Sequence, residues 1–129
     1  MDENIKDLTD KWIIKADNDI KTAKQLLSAE EPITDVICFH SQQAVEKYLK
    51  LFIQIKIRKP DKIHSIAKLL QECIDYDSSF KTLTGIEYLS DYAVAARYPD
   101  DFYIPAIEEA TEAYELSLKV KNFVLKKVK

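Results

Sequence analysis

Three short runs of the sequence carry side chains able to do chemistry. The densest is Cys38-Phe39-His40-Ser41-Gln42-Gln43-Ala44-Val45-Glu46-Lys47-Tyr48-Leu49-Lys50. Within it Gln43, Glu46 and Lys50 recur at intervals of three and four, which on a helix places an amide, a carboxylate and an ammonium on one face, one turn after Phe39. The plainer reading is a solvated face with an ordinary Glu46 to Lys50 ion pair. The second run leads to His64 through Arg58, Lys59, Pro60 and Lys62. An imidazole at the start of a helix can act in acid/base work, or can simply cap and pack. The third is Ala96-Arg97-Tyr98-Pro99-Asp100-Asp101, where a planar guanidinium suits phosphate or carboxylate and Pro99 stiffens the turn that holds it. Its structural alternative is an Arg97 pair with Asp100 or Asp101. From Glu46 to Lys68, seven basic residues (Lys47, Lys50, Lys56, Arg58, Lys59, Lys62, Lys68) face two acidic ones, Glu46 and Asp61. That local excess suits a phosphate backbone or an acidic partner, or equally a lysine-rich solvated edge.

Composition bounds what these residues can belong to. A chain of 129 residues has room for a single domain, spanning residues 1–129, with one core. Apolar residues at 47% and charged residues at 32% argue against long disorder. The lone Gly85 excludes glycine-rich phosphate loops and turn-dense β folds, so an all-α protein is expected. The net charge of −3 excludes a uniformly basic nucleic-acid-binding body and makes any such site local. Cys38 and Cys73 read as buried free thiols, and with only His40 and His64 beside them no ligand spacing for a metal exists. No metal and no cofactor are therefore expected, and no Ser/His/Asp triad can be assembled. The charged N-terminus and the shortness of the apolar stretches predict a soluble cytoplasmic protein without a membrane segment.

Periodicity supplies the elements that must position the three runs. Trp12, Ala16, Ile20, Ala23 and Leu27 predict an amphipathic helix over about residues 7–29, ended by Pro32. Thr34 or Asp35 then caps a second helix to about Ile57, apolar over so much of its circumference that it must be central or contact another protein. Asp61 is expected to cap a short third helix over 62–74, followed by a loop over 75–79. A fourth helix carries Leu83, Ile86, Leu89, Tyr92 and Val94 and stops near Arg97, and a last one runs from about Ile104 to Val128. The sum is an antiparallel, up-and-down bundle of four long helices plus one short helix.

Taken together, Trp12 with Ala16 and Asp19, the run from Cys38 to Lys50, Ile63-His64-Ser65 with Leu69-Leu70, and Ala96-Arg97-Tyr98-Pro99-Asp100 resemble the HEPN domain family over nearly the whole chain. The resemblance implies a helical bundle that commonly forms a homodimer, is often encoded beside a minimal nucleotidyltransferase, and acts in toxin–antitoxin or related defence systems. Many relatives are metal-independent endoribonucleases built on an Arg, four to six intervening residues and a His. Here the motif Arg falls on Arg97, but the corresponding positions are Phe102, Tyr103 and Ile104, and no histidine stands there. The sequence thus resembles the branch without the nuclease motif. In relatives silenced by AMP addition the modified tyrosine follows that histidine, which leaves Tyr98 and Tyr103 without a counterpart. The first expectation is a nucleotide- or RNA-binding homodimer in which Gln43, Glu46, Lys47, Lys50, His64, Arg97 and Asp100 form the site. The second is a ribonuclease using His64 as acid/base and Arg97 for transition-state charge. The third is a purely structural interaction domain.

Overall fold

A computed structural model describes residues 3–97 and 99–128, with the side chains of all of these except 95–97 and 101. Helix α1 (Glu3–Leu27) and helix α2 (Thr34–Lys56) form an antiparallel hairpin. Asp17 and Asp19 of α1 are bonded to Tyr48 and Lys47 of α2, which fixes the pairing. Helix α3 (Ile66–Tyr76) follows, then two 3-10 segments (Ser78–Leu83 and Glu87–Leu89), helix α4 (Ser90–Arg97), a 3-10 turn (Pro99–Asp101) and helix α5 (Ile107–Val128). α5 runs alongside α2 in the same direction. Near its start Glu112 is reached through Tyr88 and Tyr92 at the level of Cys38, and near its end Phe123 stacks on Phe80, which stacks on Phe52. The result is the all-α bundle expected from the periodicity, with no strand among the described residues. It has three long helices (α1, α2 and α5) and two short ones rather than four long and one short, and α5 lies parallel rather than antiparallel to α2.

The breadth of the apolar surface on α2 is explained by its position. Ile37, Val45, Tyr48, Leu49, Leu51 and Phe52 are all buried, because α1, α3, α4 and α5 each pack against a different side of the helix. Ala16 and Ala23 of α1 and Ala110 and Ala113 of α5 are fully buried, small side chains that let those helices approach closely.

The element boundaries differ from expectation in three places, each with a local cause. α3 begins at Ile66 rather than Lys62, because Asp61 does not cap it. Asp61 pairs with Arg58, which also holds Glu72, and the cap is Ser65, whose Oγ accepts from the Lys68 amide at 3.3 Å. Ser65→Ala is expected to lower stability by about 1 kcal/mol and the melting temperature by roughly 3 to 5 °C, read by thermal unfolding. The anticipated fourth helix is an α-helix only from Ser90 onward. Phe80, Leu83, Ile86 and Leu89 are buried at strict intervals of three, the period of a 3-10 helix rather than an α-helix. Gly85, at φ +112, makes the left-handed turn between the two 3-10 pieces. Finally, α5 starts at Ile107, where Glu109 reaches back to accept from the Ala106 amide and from the Tyr103 hydroxyl, the carboxylate half of a capping box. At α2 the cap is the extended Ile33, which makes no side-chain cap bond, while Asp35 accepts from the Val36 amide.

Candidate functional site

Glu46 lies at the middle of α2 and is 3% exposed. A carboxylate so placed is costly unless its oxygens are bonded. Here Gln42 Nε2 donates to Oε2 at 2.9 Å, Lys50 Nζ donates to Oε1 at 3.0 Å, and His64 Nδ1 meets Oε1 at 2.7 Å. Gln43 Nε2 extends the network by donating to Gln42 Oε1 at 2.7 Å. Gln42, Glu46 and Lys50 stand four residues apart, so one helix face delivers all three. His64 arrives from the segment between α2 and α3, positioned by the Ser65 cap and by Ser90 Oγ, which accepts from the Ile66 amide at 3.0 Å.

Burial by itself would raise the Glu46 carboxyl, but the hydrogen bonds from Lys50, His64 and Gln42, together with the Lys50 charge, outweigh it and hold the group below its ordinary value. Glu46 is therefore an anion at neutral pH, and an anion can only accept. Whichever state the His64 ring is in, Nδ1 therefore carries a proton toward Glu46, and Nε2 lies on the outer edge. The His64 side chain is 59% exposed against 4% for Glu46, so that outer edge is open to a ligand. Lys56, Lys59, Lys62 and Lys68, in the same stretch of sequence, are exposed. The outer Nε2 accepts from a ligand when the ring is neutral and donates to a phosphate when the ring is protonated on both nitrogens.

The sequence-derived residues divide in the folded chain. Gln43, Glu46, Lys50 and His64 come together. Lys47 turns to the other side of the stripe and bonds Asp19 Oδ2 of α1, whose Oδ1 holds His40 Nδ1 at 2.8 Å. Asp100 is exposed in the Pro99–Asp101 turn and has no bonded partner among the described residues. The Arg97 side chain lies outside the described residues. Its backbone ends α4, which starts beside His64 at Ser90 and leads toward Cys38, so Arg97 stands about 10 Å along the helix from that start. Of the basic run, Arg58 is occupied by Asp61 and Glu72, and Lys50 by Glu46. Gln42 was not among the expected site residues, although its position four before Glu46 was a usable signal. Asp19 and His40 join only through the α1–α2 contact, for which local spacing gives no cue.

The fold and this site define an all-α bundle whose central helix carries a buried carboxylate beneath a half-open imidazole. A family model described as the HEPN domain matches residues 9–128. The chain belongs to the HEPN family, a group associated with nucleotides and RNA. It is similar in fold to an archaeal HEPN homologue of known crystal structure, with 24% sequence identity and a TM-score of 0.66 over 94% of this chain and 98% of that one. A comparison with curated proteins finds no match. Among the described residues, no helix is long and apolar enough to cross a membrane.

Proposed function

We propose that this HEPN domain is a nucleotide- or RNA-binding module that works as a homodimer beside a minimal nucleotidyltransferase in a toxin–antitoxin or related defence system. One observation carries the binding role: the imidazole of His64 is anchored through Nδ1 on the buried Glu46 while more than half of its side chain stays exposed. A purely structural histidine has no need of an exposed working edge. Phe102, Ile104 and Ile107, at 78%, 56% and 41% exposed, form an apolar stretch leading into α5 that a homodimer could bury. A stable interface of that kind covers about 1,200 to 2,000 Å² in total. Sedimentation at micromolar concentration tests the dimer, and a monomer there counts against it.

A second reading is favoured by the same Glu46–His64 geometry, because a carboxylate that fixes the imidazole tautomer also prepares a general base. In that reading the protein is a metal-independent endoribonuclease, with His64 as acid/base and Arg97 steadying the charge that develops on phosphorus. One experiment separates the two. A fluorescent single-stranded RNA is incubated in EDTA with the wild-type protein, His64→Ala and Arg97→Ala, and both anisotropy and chain length are followed. The binding module predicts intact RNA and an affinity loss of about tenfold for His64→Ala. Cleavage that both substitutions abolish establishes the nuclease instead, and absence of both binding and cleavage removes RNA as the ligand.

A further inference from the structure

The arrangement around Glu46 occurs a second time on α2. Asp19 of α1 is 8% exposed, and its two oxygens are taken by His40 Nδ1 at 2.8 Å and by Lys47 Nζ. Glu46 holds His64 Nδ1 and Lys50 Nζ in the same manner. In each case a nearly buried carboxylate fixes an imidazole through Nδ1 and keeps a lysine of α2 beside it. The His40 and Lys47 side chains are 27% and 25% exposed, so both reach the surface. Among the described residues, His40 Nε2 has no bonded partner. Packing does not require this device, because buried ion pairs can be replaced by apolar side chains of similar volume without loss of stability. Its repetition calls for a reason outside the core.

The two units lie on one path. His40, Gln43, Lys47 and Lys50 follow each other at intervals of three, four and three along one stripe of α2, and the partly exposed Gln43 stands between the units. From His40 to Lys50 the stripe covers about 15 Å of helix axis, more than a single phosphate group can bridge. Lys15, exposed one helical turn before Asp19 on α1, adds a positive charge on the Asp19 face of that helix.

We infer that Asp19, His40 and Lys47 form a second phosphate-binding site, so that separate phosphates of one single-stranded polynucleotide are held at His40 and at His64. This rests on the reading of the Glu46–His64 site as a phosphate-binding one and makes its ligand a chain rather than a mononucleotide. A phosphodiester carries no proton near neutral pH, so each imidazole donates from Nε2 once its ring has taken a second proton from solvent, and the partly exposed Lys47 adds charge at the second site. Gln43 is placed to bond the sugar or base between them.

The test uses the full chain at fixed ionic strength, with fluorescein-labelled UMP, a labelled tetrauridylate and its deoxy counterpart as probes. His40→Asn is the informative variant, because its amide keeps a donor for Asp19 while removing the outward nitrogen. The wild-type protein is expected to bind the tetranucleotide about tenfold more tightly than UMP. His40→Asn and His64→Asn are each expected to lose most of that gain, and His64→Asn to weaken UMP as well. Lys15→Glu, at an exposed position on which folding does not depend, is expected to weaken the tetranucleotide about threefold, which keeps the test decisive if His40→Asn is unstable. Equal binding of the deoxy tetramer assigns recognition to the phosphates, and preference for the ribo form adds the 2′-hydroxyl; both support the site. If His40→Asn and Lys15→Glu bind the tetranucleotide as the wild type does while His64→Asn does not, the second site is refuted and the first stands. If the wild type binds no probe, both readings fail.

Discussion

Glu46→Ala is expected to destabilise the fold by about 3 to 5 kcal/mol, read from urea unfolding. The loss comes less from the attraction removed than from what remains. Lys50, 7% exposed, would keep a buried ammonium with no carboxylate, and the Gln42 amide would lose its acceptor inside the bundle. Because the folded-state carboxyl of Glu46 is held below its ordinary value of 4.5, the stabilisation is fully present above that pH and is lost as the pH falls through the lowered folded-state value. Stability of the wild type should therefore fall as the pH drops below about 4.5, and Glu46→Gln should remove that part of the fall. The companion variant separates scaffold from site. Glu46→Leu combined with Lys50→Met replaces the pair by apolar side chains of similar size and should recover stability to within about 1 to 3 kcal/mol of wild type, the remaining deficit coming from the buried Gln42 amide left without its acceptor. The same variant leaves His64 without its anchor and should bind RNA no better than His64→Ala. A stable double variant with undiminished binding would remove the Glu46 network from the functional site.

Phe80→Ala is the second large effect, an expected loss of about 3 to 5 kcal/mol. Phe80 is fully buried although it belongs to a 3-10 segment rather than a long helix. Its ring lies 4.4 Å from that of Phe52 on α2 and 4.9 Å from that of Phe123 on α5, centroid to centroid. Those distances place the three rings in favourable tilted and edge contact. The side chain is thus the point at which the irregular stretch between α3 and α4 is fixed to α2 and α5. Truncation opens a cavity between elements that cannot close on it without moving that stretch. An unchanged m-value with a lower urea midpoint would show that residues 78–89 unfold with the rest. A loss under about 1 kcal/mol would show that this stretch is not part of the cooperative unit.

The helical architecture was legible in the residues themselves. One glycine, few prolines and apolar positions at intervals of three and four leave little besides an α bundle, and the excess of apolar surface on residues 34–56 already marked α2 as central. The grouping of Glu46 with Lys50 was legible for the same reason, since a spacing of four is a distance on a helix. The identity of α3's cap was not, because Asp61 and Ser65 are both good capping residues and the choice fell to Arg58, which pairs with Asp61 while it also holds Glu72 of the next helix. The break before α4 was half written in the string: Phe80, Leu83, Ile86 and Leu89 at intervals of three mark a 3-10 path, yet the same residues also fit the edge of an α-helical stripe.

What the sequence by itself determined is therefore the class of fold, the central helix and the local pairs along it. Tertiary structure alone decided that Lys47 leaves Lys50 and joins Asp19, that His40 follows it, and that His64 crosses from another segment to Glu46. The reason is physical. A buried carboxylate must take its donors from whatever lies against it, and which side chains lie against it is set by how whole helices pack, a contact between residues far apart in the chain that no local periodicity encodes.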